Sequence, residues 1–154
     1  MKVKKIVMTL AVCFIGIGVC CAQSSLMGTW KLNEAKSKLA PGGPKNNTVV
    51  YEAAGDSIKV TIDGVDGAGS PTHSEWTGKL DGKFYPVTGD PNSDSRSLER
   101  RTTHKFGFTA KKGEKVTISG TIILSVNGKS RTVIATGTDA QGKKMKSEAV
   151  YDKQ

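Results

Sequence analysis

KVTISGTIILSV, residues Lys115 to Val126, followed directly by Asn127-Gly128, is the stretch on which the fold turns. Val116, Ile118, Ile122, Leu124 and Val126 alternate with Thr117, Ser119, Thr121 and Ser125. A period of two puts the apolar set, with Gly120, on one face of a β-strand and the hydroxyls on the other. Ile123 is the exception. Asn-Gly tolerates the positive φ of a two-residue hairpin loop, so the chain is predicted to reverse at Asn127-Gly128 and return antiparallel.

The same grammar extends outward. Ser57 to Asp63 sets Ile58, Val60 and Ile62 against Lys59, Thr61 and Asp63. Asp81-Gly82 repeats the hairpin signal, Gly55-Asp56 fits the related turn with glycine first, and Lys112-Gly113 and Gln141-Gly142 read as further reversals. Asp63 to Gly69 and Pro41-Gly42-Gly43-Pro44 read as longer loops. Helix has room only at Asn33 to Leu39, and Thr102 to Lys105 reads equally as a turn or as the middle of a long strand. The count is about eight to ten strands, nine or ten when every turn is used, most joined tightly to the next. Curling until the last strand, Lys143 to Tyr151, meets an early one pairs both edges. An all-β antiparallel up-and-down barrel is therefore the predicted architecture, with a two-sheet sandwich as its rival. An outer-membrane barrel needs an apolar outer band about 25 Å tall with aromatic girdles. Here one strand face is mostly Thr, Ser, Lys or Asp and aromatics are only 6% of the chain, so that class is set aside.

The N-terminus is of another kind. Lys2, Lys4 and Lys5 precede an apolar run from Ile6 to Val19 and the small residues Cys20, Cys21 and Ala22. That succession is a secretory signal peptide over residues 1–22, with cleavage after Ala22. The run falls short of the roughly 20 apolar residues that cross a bilayer. A lipid anchor on Cys20 or Cys21 is the lesser reading, because such signals place Gly, Ala or Ser before the modified cysteine. All three cysteines lie in this leader, so the mature chain has no disulfide and no thiol chemistry. Residues 23–154 suffice for one domain, a barrel expected to be soluble, exported to periplasm or medium, monomeric and without a transmembrane segment. The formal charge is +9, and +6 remains once the three leader lysines are set aside. These cations are scattered along hairpins without interleaved aromatics, which excludes nucleic acid as the expected partner.

Gly28-Thr29-Trp30-Lys31-Leu32 resembles the Gly-x-Trp first strand of lipocalins and intracellular fatty-acid-binding proteins, both up-and-down barrels. Ser74 to Lys83, Thr138 to Gly142 and the Ala149-Val150-Tyr151 ending are similar to small exported lipocalin-like bacterial proteins. The resemblance implies that Gly28 and Trp30 close one end of the barrel with Arg131, the only late arginine, against the indole. The Thr-Asp-Tyr second motif of lipocalins is absent.

No catalytic residue is assigned. His73 and His104 are the mature chain's histidines, and neither stands in a nucleophile elbow or triad motif. His73 and Glu75 share a strand face, but two ligands fall short of a zinc site, and no metal is expected. Asp90-Pro91-Asn92-Ser93-Asp94 opens like a calcium loop and then fails, with Ser95 at the turn-glycine position and Arg101 at the closing glutamate, so it reads as an Asx-rich turn. No glycine-rich loop opens a helix, so no nucleotide or other cofactor is expected. A barrel interior remains. Trp76 and Tyr85 are the candidates to stack on a small apolar or anionic amphipathic ligand, and Arg96, Arg100 and Arg101 to pair with its head group. The expected role is binding without catalysis. The alternative is an envelope interaction module with a filled core that meets protein, glycan or an anionic surface, and a small hydrolase or isomerase ranks below both.

Overall fold

A computed structural model describes residues 25–138 and 142–154. The signal peptide and the cysteines lie outside the described residues, as does Gln141 of the expected Gln141-Gly142 reversal. Alternation along the described chain produces ten strands: β1 (Gly28–Leu32), β2 (Lys45–Ala54), β3 (Ser57–Val65), β4 (Pro71–Gly78), β5 (Asp81–Thr88), β6 (Ser95–Arg100), β7 (Lys105–Lys112), β8 (Lys115–Leu124), β9 (Ser130–Thr138) and β10 (Lys144–Lys153). Each pairs antiparallel with its sequence neighbour, and β10 closes on β1 through Trp30↔Lys153 and Leu32↔Tyr151. The result is a closed up-and-down barrel, which removes the free edges an open meander would expose. The sandwich alternative does not occur.

Local sequence explains most reversals. At Asn127-Gly128 the glycine takes φ 68° and its amide donates to the Ser125 carbonyl at 2.9 Å. Thr102 to Lys105 is a turn, with the Arg101 and Thr102 amides both donating to the Lys105 carbonyl. The stretch with room for helix forms one 3₁₀ turn, Glu34–Lys36, capped by the Asn33 side chain. So short a segment cannot repay helix nucleation, and Lys38 pairs instead with Glu148 of β10.

Three readings are corrected. The Asp81-Gly82 reversal falls earlier, at Lys79-Leu80, and Gly82 (φ 77°) sits inside β5 where the register with β6 shifts. Val116 does not share the inner face of Ile118 and Ile122. The register between β7 and β8 slips between Ala110 and Lys111, and this bulge turns Val116 outward, 48% exposed. Val126 lies beyond the end of β8 in the turn, 93% exposed.

The densest core sits at one end. Leu26, Trp30, Ile58 and Phe106 are fully buried there, and the Trp30 indole donates to the Leu26 carbonyl at 2.9 Å, so the segment leading into β1 seals that end. Part of the wall depends on a missing side chain: a Cβ on Gly120 would meet the Ile134 carbonyl and come within 2.7 Å of the Phe108 ring. Gly120→Ala is therefore expected to cost roughly 1–3 kcal/mol through overpacking against backbone. Urea unfolding of the variant beside wild type measures it.

Candidate ligand-binding site

Above the sealed end the barrel is not filled. A cavity of about 840 Å³ opens at the opposite end and reaches down to Tyr51, Arg131 and Tyr151. The alternation that buries Ile122 and Leu124 near the sealed end also points Ile62, Ile118, Val133 and Ala149 inward, yet these keep contact with open space, and Ile118 is 37% exposed. Inward apolar side chains that remain accessible are the mark of a lined cavity. Its size falls within the range of small-molecule sites, roughly 300–1,000 Å³.

Polar groups cluster at the mouth and again at the floor. Lys45, Asp66, Lys112 and Lys115 stand at the mouth. A strap from Leu39 to Pro44 crosses it, tied to β10 by the Ala40 amide donating to Ser147 Oγ at 3.1 Å. The strap's outer flank borders a second, shallower hollow of about 490 Å³ that includes Glu34 and Val65. At the same end, where β6 begins beside the β5–β6 loop, Arg96 lines the wall with its side chain 18% exposed, and its Nη2 lies 3.5 Å from Asp90 Oδ2. Burial pushes the Arg96 guanidinium below its ordinary range, and the Asp90 carboxylate opposes that shift. Asp90 itself is held in an Asx turn, accepting from the Asn92 amide and from Ser93 Oγ.

The floor is built around Arg131. It is 2% exposed, donates from Nη1 to the Tyr51 hydroxyl at 2.8 Å, and lies 5.0 Å from the Trp30 ring, 5.0 Å from Tyr51 and 4.7 Å from Tyr151. Its Nε is buried without a partner, and no carboxylate among the described residues pairs with it. Burial pushes the Tyr151 phenol up from its ordinary 10 to about 12, against the pull of Arg131. The folded state thus holds this proton more tightly than the unfolded chain. The contribution is whole below pH 10 and is lost as pH rises towards 12, amounting to roughly 2–3 kcal/mol. In a spectrophotometric titration Tyr151 is expected to ionise near pH 12, and Tyr151→Phe to remove that late step.

The candidate residues separate into two groups. Trp76 and Arg96 line the cavity, joined by the Trp76 indole donating to the Arg96 carbonyl at 2.9 Å. Tyr85 stacks edge-on against Trp76 at 6.1 Å, over the space left by Gly78, outside the cavity lining. Arg100 and Arg101 are also outside the lining: Arg100 donates to the Thr102 carbonyl in the β6–β7 turn, and Arg101 lies over Gly107 beside Glu99. The reason is their position at the sealed-end limit of β6, far along the strand from the mouth. Arg131 lies against Trp30, and a Cβ on Gly28 would come within 3.0 Å of the Lys153 side chain. His73 sits on the outer surface, its Nδ1 2.7 Å from Asp63 Oδ1, while Glu75 pairs with Lys59 at 2.7 Å; His104 is exposed in the β6–β7 turn. Sequence reading did not single out Tyr51, Asp90 or Tyr151 as cavity residues. Tyr51 shares the parity of Val49, and Tyr151 that of Ala149, which is the signal that finds them.

Fold and site together define a ten-stranded up-and-down barrel with an open, apolar-walled interior, an architecture that fits the lipocalin-like resemblance. No protein-family model and no curated protein matches the sequence. Among solved structures the chain is similar to EF1p2_mFAP2b bound to DFHBI, at 10% identity and a TM-score of 0.49 over 86% of this chain and 97% of that one. It is also similar to a redesigned beta barrel, b11L5F_LGL, at 14% identity and a TM-score of 0.47 over 88% and 97%. Likeness at this level bears on no site and no ligand.

Proposed function

We propose that this chain is exported by its N-terminal signal and that its barrel holds a small apolar or amphipathic molecule without transforming it. The observation that carries the reading is the cavity, about 840 Å³, with apolar side chains turned inward and left accessible. An interaction module with a filled core has no use for such a space. The absence of chemistry is supported by the two histidines, both exposed and outside the cavity lining.

Dodecan-1-ol is a simple probe of this reading, read by tryptophan fluorescence. Trp76 borders the cavity, whereas Trp30 is sealed beneath it, so a saturable change in emission is expected from Trp76 and should vanish in Trp76→Phe. A change that persists unaltered in that variant, or no saturable change, contradicts binding in the cavity.

A further inference from the structure

The sealed end carries exposed groups that the barrel itself does not use. Backbone hydrogen bonds join four segments there in one arc: the Leu124 amide donates to the His104 carbonyl at 2.8 Å, the Lys153 amide to the Lys129 carbonyl at 2.9 Å and the Gln154 amide to the Thr29 carbonyl at 3.0 Å. The β6–β7 turn, the β8–β9 turn, the end of β10 and the segment leading into β1 therefore lie side by side. Val126 stands out from the β8–β9 turn, 93% exposed, the most exposed large apolar side chain among the described residues. Ile123, on the outer side of β8, is 39% exposed and pairs in register with Lys105 of β7.

Cations flank this apolar tip. Lys105 and Lys129 are exposed, and neither makes an ion pair among the described residues. The side-chain carboxylates on the flanking strands, Glu99 and Asp152, are already engaged, by Arg101 at 3.5 Å and by the Asn33 side chain at 2.6 Å. Asp56 and Asp81 are farther round the rim, held by Lys79 and by the Tyr85 hydroxyl. An exposed apolar tip beside unpaired cations fits a membrane surface with anionic headgroups: the ammonium groups meet the headgroup charge and the apolar side chains enter the boundary beneath it. At the mouth, by contrast, acid and base alternate, with Glu114 between Lys112 and Lys115 and Asp94 bonded to the Gly113 amide. The upstream chain also arrives at the sealed end. Only Ala22 to Ser25 separate Cys21 from Leu26, which is fully buried there, so a leader that enters a membrane through its apolar run Ile6 to Val19 brings this end to it first.

We infer that the sealed end docks on an anionic lipid surface, with Val126 and Ile123 at the contact and Lys105 and Lys129 beside them, so that the mouth points away from the membrane. The docking does not depend on the cavity holding a ligand. The test is cosedimentation of protein produced from the full coding sequence, its leader removed on export, with vesicles of phosphatidylcholine alone or of equal parts phosphatidylcholine and phosphatidylglycerol. Binding is expected to the anionic vesicles only, and raising salt from about 0.01 M to about 0.15 M should release most of it as the screening length falls from ~30 to ~8 Å. Neutralising both cations, Lys105→Gln with Lys129→Gln, should weaken partition by roughly thirtyfold, the effect of losing two basic residues at an anionic surface. The matching pair at the mouth, Lys112→Gln with Lys115→Gln, should change it by less than about threefold. All four lysines are exposed and make no ion pair among the described residues, so the urea midpoints of both variants should stay at the wild-type value. In Val126→Trp, emission from the tip should shift to the blue with anionic vesicles, over a constant background from the buried Trp30 and Trp76. Equal binding to both vesicle types, binding to neither, or a loss in the mouth pair in place of the sealed-end pair overturns the docking. So does Val126→Trp emission that anionic vesicles leave unmoved.

Discussion

Ala135→Trp is expected to abolish ligand binding while the barrel still folds. Ala135 sits on β9 with its side chain towards the cavity, one inward step from Val133, and is only partly buried because the space before it is open. An indole there occupies volume the ligand needs without displacing a packed neighbour. Affinity for any chain-like ligand should fall by roughly a hundredfold or more, since most of the burial on which such a site depends is lost. Stability should change by about 1 kcal/mol or less, because no core contact is removed. Calorimetric titration with dodecan-1-ol, beside urea unfolding of the same preparation, separates the two effects. A variant that binds normally places the ligand elsewhere.

Trp30→Ala should have the opposite signature, a large loss of stability. Trp30 is fully buried, donates to the Leu26 carbonyl, and carries Arg131 at 5.0 Å on its ring. Truncating a buried tryptophan costs roughly 3–5 kcal/mol through lost burial and the cavity left behind. Here the loss also unseats the segment that seals the barrel and opens the Arg131 guanidinium to solvent from below. Equilibrium unfolding should show the midpoint falling steeply, and Trp30→Phe should recover part of it. A variant as stable as wild type would mean that the sealed end contributes little to holding the barrel closed.

Much of the fold was legible because barrels of this kind are written in local rules. Period-two alternation marked the strands, and Asn127-Gly128 marked a hairpin that forms where expected. Closure followed from the need to pair both edges, and β10 does meet β1. What local pattern could not show were slips in register. The bulge opposite Lys111 depends on how two strands fit over their whole length, and it alone turns Val116 outward. The Asp81-Gly82 signal was real as a preference for positive φ, but a bulge satisfies that preference as well as a turn does.

The site was less legible for a related reason. Arg96, Arg100 and Arg101 look alike in sequence. Only the length of β6 and the place of the mouth bring Arg96 to the cavity and leave the other two at the sealed end. Tyr51, on β2, and Tyr151, on β10, are 100 residues apart and meet only because β1 joins those strands. Whether the interior was open depended on summed side-chain volumes around ten strands, which no single stretch records.

Whether this barrel carries a small molecule is best decided by native mass spectrometry of protein isolated from its own host without detergent, followed by the denatured mass of the same sample. An added mass on the order of a few hundred daltons is expected in the native spectrum alone, the size a cavity of this volume accepts. The denatured mass should correspond to a polypeptide beginning at Gln23. A native mass equal to the bare polypeptide, together with no uptake of dodecanoate or dodecan-1-ol added to that sample, would contradict the carrier role.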